Sequence, residues 1–507
     1  MNLHDIEKLQ ARMKKEISRA IKKNKLQYSI ELIDAYADSC QRINNILRDD
    51  EIESYLRTIS ESYIDRECSL PELDAKTVVL YDQIGTTICL GLQYLRALVD
   101  KGYNVVYIYE SPIHPIKSDM LEEVKKVCKD YYIFSSRKVF DLKGKYLANE
   151  IRRIILKYRP ANIIMHQEAT GALAMTLMYS LAGIPRYKII PGDHHFYLGY
   201  DCFDYFLDFR PFGWSTSHYE RRLPIDKIIN NTYYPIINDN LDFQGFPSDT
   251  DGKVIVLSGG ASYKFEGSNV FYELLEHILT IDGVVFVFMG KPTSKLVEMK
   301  NDSRYANKIF FLGYRKDFSQ VLKKIHILFN SYPFSGGLFC QTAAYYQKPI
   351  IAYSKDSLRS ENCVEDILGL ASNGSQITTT SIESFKKQVE KLIEDHNYYI
   401  EKGNECKKML VTKEYFDNRL DRILRGECEH IPYNFEYVDR SERIAVYIQN
   451  NNKIEPCVFL FPSKVLGLRF FYFMRFLKMD LIKHFWYIFV HAFSNNVMLR
   501  KILMKKD

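Results

Sequence analysis

The sequence predicts an α/β protein: two parallel-sheet domains joined by a linker, after a helical N-terminal region and before a basic, aromatic tail. Three observations carry this reading. Short β-branched runs alternate with helical stretches from about residue 76 to about residue 425. The alternation breaks once, over a stretch rich in Asn, Asp, Gly and Pro from Pro235 to Asp251. A chain of 507 residues also exceeds what one hydrophobic core supports. The expected boundaries are 1–70 (helical), 75–235 (first α/β domain), 250–428 (second α/β domain) and 429–507 (tail).

The N-terminal region carries apolar residues at helical spacing: Leu3, Ile6, Leu9, Met13 and Ile17, then Ile30, Leu32, Ile33, Tyr36 and Ala37 after a break near Asn24. A helical hairpin or small bundle is expected, serving as a packing or partner-binding appendage. In the first α/β domain the expected strands are Thr77–Tyr81, Asn104–Tyr109, Tyr131–Phe134, Asn162–Met165, Tyr187–Ile190 and Tyr205–Phe209. Helices fall between them. The second domain is expected to place strands at Val254–Ser258, Val284–Met289, Ile309–Leu312, Ile325–Phe329 and Ile350–Tyr353, with closing helices from about Ile382 to Asp395 and from Glu414 to Leu424. No GxGxxG follows the first strand, so a dinucleotide fingerprint is unsupported.

The totals exclude several classes. A formal charge of +6 over 507 residues is too mild to argue for nucleic acid. The 10 cysteines form no CxxC pair and no Cys/His zinc spacing, and with no apolar signal-peptide core they read as reduced thiols of a cytoplasmic protein. No run reaches the roughly 18 apolar residues of a spanning helix. The pair Asp249 and Asp251 has the DxD form of a metal motif, but it precedes its strand among turn residues, so no metal is expected. The tail interleaves Lys464, Arg469, Arg475, Lys478 and Lys483 with Phe470, Phe471, Tyr472, Phe485 and Trp486. That mixture suits an anionic membrane surface, which would put the protein at the inner face of the membrane. It equally suits packing on the core or on a partner subunit.

Ligands of open α/β sheets bind beyond the carboxyl ends of the strands, and the candidate residues lie there. In the second domain, Ile325–Phe329 leads through a polar turn containing Asn330 and Ser335 into Gly336-Gly337 and a helix. A helix N-terminus presents free N–H groups and a positive dipole end, which is an anion site. Lys264 and the trio Gly313, Tyr314 and Arg315 follow other strands on the same edge, so a nucleotide diphosphate is the expected ligand. In the first domain, Gln83, Gly85 and Thr86 follow the first strand and His166 the fourth. Asp193, His194 and His195 follow the fifth, and histidine is the side chain most easily poised for proton transfer.

These segments resemble a family. The stretch SYPFSGGLFCQTAAYYQKPII is similar to the P-[YF]-x-G-G-T-T-x-x-E-A-x-x-x-G-x-P segment of O-GlcNAc-transferase-like enzymes. Their bacterial branch, with the adhesin N-glucosyltransferases, offers the nearest likeness. Ser262–Phe265 resembles the loop whose lysine binds the diphosphate, Gly192–Gly199 the A-D-H-x-F-W-L-G segment, and Asp208–Gly213 the D-F-R-P-[YF]-G that follows. The likeness covers roughly 75 to 425. It implies a GT-B architecture of two Rossmann-like domains facing a cleft, and an inverting, metal-independent glycosyltransferase without a cofactor. A nucleotide sugar, UDP-linked by default, would be the co-substrate, and the acceptor a protein, a glycan or a lipid-linked molecule.

On that resemblance Lys264 neutralises the leaving diphosphate, the amides of Gly337, Leu338 and Phe339 hold it, and Gly313, Tyr314 and Arg315 meet the base. His194 activates or positions the acceptor, with His195 and Asp193 beside it. The loop Asp82–Thr87, or the leaving phosphate, could take the proton instead. The chain departs from the family pattern at several positions. Leu338 and Phe339 replace two Thr, Thr342 an acidic residue, Gln347 a Gly, and Asn330 an Asp that contacts ribose. Two alternatives stay open: a catalytically silent GT-B subunit that binds a partner enzyme or acceptor protein, and a sugar-nucleotide epimerase.

Overall fold

The structure, a computed structural model, describes residues 3–428, less 66–71, 88–89, 112–114, 135–143, 169, 267, 356–361 and 370–375, together with Ile444. The expected tail, 429–507, therefore lies outside the described residues. The first sheet has seven parallel strands: β1 (Asp74–Asp82), β2 (Asn104–Glu110), β3 (Asp130–Phe134), β4 (Pro160–His166), β5 (Arg186–Ile189), β6 (Tyr205–Asp208) and β7 (Ile228–Asn230). Their order is β3-β2-β1-β4-β5-β6-β7. Every strand of such a sheet is covered on both faces, which is why the sequence shows apolar runs rather than alternation. Val79 and Tyr81 pack into one core with the N-terminal helices, while Val78 and Leu80 pack into the other. The sequence pattern does not show β7; three residues are too few to carry one.

The second sheet has six parallel strands: β8 (Val254–Gly259), β9 (Val284–Met289), β10 (Ile309–Gly313), β11 (Ile327–Phe329), β12 (Ile350–Tyr353) and β13 (Thr378–Thr379). Their order, β10-β9-β8-β11-β12-β13, repeats that of the first six strands. Each sheet thus reverses its strand order once, between β1 and β4 and between β8 and β11, and the loops diverge there. β11 starts two residues later than expected, because Ile325 caps the preceding helix. β13 and the helices Ser294–Asn301, Val364–Leu368 and His396–Lys408 are additions to the expected elements; they are short or mostly polar.

The segment between the sheets is largely irregular, as its composition implies, but it is stitched down. Asn238 N donates to Ser319 Oγ at 3.1 Å and Gln244 N to the Asp317 carboxylate at 2.9 Å. The helix Lys413–Leu424, expected with the second domain, returns to the first. Phe416 sits between Tyr94 and Tyr234, with ring centroids 5.2 and 5.6 Å away. Arg419 Nε donates to Asn230 O at 2.7 Å, and Tyr103 donates to Asp421 at 2.8 Å. Aromatic pairs of this kind add about 0.5–1.5 kcal/mol beyond their buried area. The last helix therefore packs on the first sheet's side. No helix among the described residues is long and apolar enough to cross a membrane.

The N-terminal region forms three helices, α1 (Leu3–Lys22), α2 (Leu26–Ile43) and α3 (Asp50–Tyr63), with Asp49 capping α3 through the amides of Glu51 and Ile52. It is not an appendage. Met13, Ile17, Ile33 and Leu56 share one core with Val79, Ile163 and Phe206 of the sheet. Two buried carboxylates reach further. Asp34 accepts from Gly171 N and Ala172 N at 2.7 and 2.8 Å, capping the helix Ala172–Tyr179. Glu53 accepts from Gly199 N at 2.8 Å and Asp201 N at 3.3 Å. The helical region thus holds the loops after β4 and β5.

Burial pushes the Asp34 carboxyl up from 3.8 to about 7, against its two amide bonds. The folded state therefore binds this proton more tightly than the unfolded chain does. Its contribution to stability falls as pH rises from about 4 to about 7, by at most about 1.4 kcal/mol per pH unit. Asp34→Asn keeps the acceptor oxygen and removes the titration. Urea midpoints measured from pH 4 to pH 8 are expected to fall less steeply in this variant than in wild type.

Candidate functional site

The second-domain turn is built around one amide. Asn330 Oδ1 accepts from Ser335 Oγ at 3.1 Å, from Gly336 N at 3.0 Å and from Cys340 Sγ at 3.3 Å, while Asn330 Nδ2 donates to Ser335 Oγ at 3.0 Å. The side chain is 3% exposed. These bonds tie the Asn330 amide, expected at the ribose, into the turn. The helix Gly337–Tyr345 then opens with no side-chain capping bond, so its first amides face outward from the end. Gly336 has φ −97, and a Cβ there would meet only ordinary contacts at 3.5 Å and beyond, so the turn requires neither a left-handed backbone nor a missing side chain at this position. Gln347, standing where the family has Gly, does take a left-handed φ of 57.

Lys264 joins two turns. It lies in the turn Ser262–Phe265 after β8, and its Nζ donates to Ser335 O at 2.7 Å. Gly260 and Gly290, with φ of 133 and 124, let the loops after β8 and β9 close up: a Cβ on Gly290 would stand 2.6 Å from Gly260 O. Leu338 is half-exposed at the helix end. Phe339 instead turns into the core, its ring 4.9 Å from that of Phe318. Its contribution at this edge is therefore its amide. Tyr314 is 88% exposed beside Gly313 and is open to stacking. Arg315 is not open: it grips buried Asp317 through two bonds of 2.7 and 2.6 Å and donates to Gly245 O at 3.0 Å. Its guanidinium, expected at the base, braces the linker.

Across the cleft, the loop after β5 carries Asp193, His194 and His195. Asp193 is buried and bonded to Arg210 Nε and, at 3.2 Å, to His194 Nδ1. Burial would raise its carboxyl, but Arg210 and then His194 outweigh that and hold it far below the usual range. Arg221, fully buried, donates to Asp193 O and His195 O at 2.7 and 3.0 Å. His195 is half-buried, and desolvation together with neighbouring His194 lowers its pKa below the ordinary value. The His194 ring lies 6.2 Å from that of Phe334 in the second domain. Phe334 in turn lies 5.8 Å from Tyr263, next to Lys264. Asp366 of the second domain also accepts from Phe212 N at 2.9 Å, with burial pushing its carboxyl up to about 7.

A second cluster occupies the corner between β1 and β4. His166 Nδ1 is 3.0 Å from Asp82 Oδ1, and Tyr107 donates to Asp82 Oδ2 at 2.6 Å. Gln83 donates to Glu110 at 3.0 Å, Gly85 adopts φ 60, and Thr86 is half-buried. Sequence reasoning missed Arg221, Asp34 and Glu53 as site builders. The R-x-D spacing of Arg315 and Asp317 was a usable signal; the other pairs are too distant in sequence to leave one. Asp249 and Asp251 are exposed before β8, at the sheet end opposite Lys264.

No family model and no curated protein matches the sequence. Solved structures do match. A mutant O-GlcNAc transferase of Thermobaculum terrenum matches with a TM-score of 0.54 and 11% identity, over 82% of this chain and 81% of its own. A glycosyltransferase of Rickettsia africae matches with a TM-score of 0.51 and 13% identity, over 69% of this chain and 98% of its own. Anabaena Alr3699/HepE in complex with UDP matches with a TM-score of 0.50 and 12% identity, over 69% of this chain and 100% of its own. With two doubly wound parallel sheets, this likeness makes the fold GT-B.

The Asp193–Arg210 pair is buried on both sides, so removing one member strands a charge. Arg210→Ala is expected to cost about 3–5 kcal/mol by urea denaturation. Arg304→Ala, which breaks an exposed pair with Asp302, is expected to leave the midpoint unchanged.

Proposed function

We propose that the protein is a glycosyltransferase that moves a sugar from a nucleotide-sugar donor, UDP-linked, to an acceptor held by the first domain. The observation that carries this is the uncapped helix end at Gly337 beside Lys264, facing His194 across the cleft through Phe334. A diphosphate there gains hydrogen bonds from the amides of Gly337, Leu338 and Phe339 and a cation from Lys264. These act where negative charge develops as the sugar–phosphate bond breaks. The helix end and Lys264 supply that stabilisation from the chain itself, in keeping with a metal-independent reaction that needs no cofactor. Tyr314 offers an exposed face to the base. Anabaena HepE, which shares the fold, was solved with UDP, and this supports UDP as the nucleotide.

The first-domain loops and the helix end form opposite walls of the cleft. An acceptor on one wall and a leaving diphosphate on the other suit attack from the far side of the anomeric carbon, hence inversion. A second reading has its own support: Asn330 is consumed by the turn and Phe339 by the core, so family contacts to ribose and sugar are missing. On that reading the chain binds a nucleotide sugar without turning it over and serves as a subunit of a partner enzyme.

Thermal shifts with UDP-, GDP- and dTDP-sugars separate these outcomes from a fold without a donor site. A ligand at 100 times its Kd stabilises the native state by about 2.7 kcal/mol. UDP-sugars are expected to raise the melting temperature of wild type, and Lys264→Ala to weaken their binding at least about tenfold, since charged hydrogen bonds contribute about 1.5–3 kcal/mol. No shift with any nucleotide sugar at millimolar concentration would contradict the donor site.

A further inference from the structure

We propose that Tyr233, in the stretch leading from β7 toward the second sheet, is a donor-site residue whose hydroxyl hydrogen-bonds the leaving diphosphate. The inference rests on the donor reading above and adds to it a side chain that lies outside both sheets. The Tyr233 ring belongs to the first-domain side, with its centroid 5.1 Å from that of Phe209. Its hydroxyl reaches the second domain. It stands 3.2 Å from where a Cβ on Gly337 would be, with Ile367 Cγ2 next at 3.8 Å. Gly337 is the first residue of the helix Gly337–Tyr345, which opens with no side-chain cap. The hydroxyl therefore lies beside the helix end at which the diphosphate is placed.

This approach accounts for glycine at position 337. A side chain there would press on the hydroxyl at 3.2 Å, whereas the Cβ position of Gly336 has room. It also supplies what the helix end lacks. Leu338 offers an apolar, half-exposed side chain, Phe339 turns toward Phe318, and the Ser335 hydroxyl is engaged with the Asn330 amide. A phenol donates one hydrogen bond, and a bond to an anion is stronger than one between neutral groups.

The main chain around Tyr233 is held from both domains. Its carbonyl accepts from Gln341 Nε2 at 3.2 Å, and that buried amide also donates to Ile367 O at 3.3 Å. Thr232 packs on Gly369, where its Cγ2 stands 2.4 Å from the Cβ position. On the other side Tyr234 is fixed by Phe416, with ring centroids 5.6 Å apart, and by Gln93, which donates to its carbonyl. The hydroxyl is thus aimed before a ligand arrives, so little side-chain freedom is lost on binding. When the anomeric C–O bond to phosphate breaks, its electron pair stays on the diphosphate. Tyr233 keeps its proton and shares it with a phosphate oxygen.

The test measures binding of UDP and of uridine to the full chain, by calorimetry and ligand-observed NMR, for wild type, Tyr233→Phe and Lys264→Ala. Tyr233→Phe keeps the ring on Phe209 and removes the hydroxyl. It is expected to weaken UDP at least about tenfold, as loss of a hydrogen bond to a charged group implies, and to leave uridine within about twofold. Uridine carries no phosphate, so a merely structural role for Tyr233 would weaken both ligands alike. Equal weakening of UDP and uridine, or UDP bound by Tyr233→Phe as tightly as by wild type, overturns the proposal. If Lys264→Ala still weakens UDP in that case, the donor reading stands without Tyr233. Absence of UDP binding to wild type would overturn both.

Discussion

The Asn330 side-chain carbonyl is the acceptor on which the second-domain edge depends. It takes a hydroxyl, a backbone amide and a thiol from three points of a ten-residue span, Ser335, Gly336 and Cys340. That set of bonds fixes where the chain stops turning and where the helix starts. The helix Gly337–Tyr345 itself opens with no side-chain cap, which leaves its first amides without a capping partner. Lys264 can then reach the same turn through Ser335 O. A buried amide with every polar atom engaged is rigid, since losing any partner would leave a desolvated group unpaired. An anion site made this way costs little reorganisation when a ligand arrives.

The opposite wall is held by buried charge. Arg210 and Arg221 fasten the Asp193–His195 loop from one side, and Glu53 of the N-terminal helices fastens its far end at Gly199 and Asp201. Lys188 holds the middle, its ammonium on Leu198 O and 4.8 Å from the centre of the Tyr200 ring. Burial lowers that lysine to about 7, with nearby Cys202 and Glu53 acting in the opposite direction. The N-terminal helices are therefore part of what holds the loops after β4 and β5 in place. Removing them would take away Glu53 and Asp34 and expose the apolar face of the sheet that they cover.

Much of the architecture was legible because parallel strands write themselves as β-branched runs. Val284–Met289 and Ile350–Tyr353 have the same limits in sequence and structure. The glycine turn and Lys264 were legible from their order after strands, and the structure brings them together through Ser335. The corrections share one cause. A single sequence shows which polar residues exist but not what they hold. Arg315 reads as a ligand-binding cation until Asp317 and Gly245 are seen to occupy it. Asn330 reads as a ribose contact until the turn closes on it. Asp82 and His166 lie 84 positions apart and meet only because β1 and β4 are neighbours. The return of Lys413–Leu424 to the first layer depends on Phe416 fitting between Tyr94 and Tyr234, which no local pattern encodes.

The measurement that bears most directly on this account is a crystal structure with UDP bound. The diphosphate is expected at hydrogen-bond distance, about 2.7–3.2 Å, from amides of Gly337, Leu338 and Phe339. Lys264 Nζ should have moved from Ser335 O to a phosphate oxygen, with the Asn330 bonds intact. UDP seated elsewhere, or a turn that stays free of UDP at saturating concentration, would contradict it.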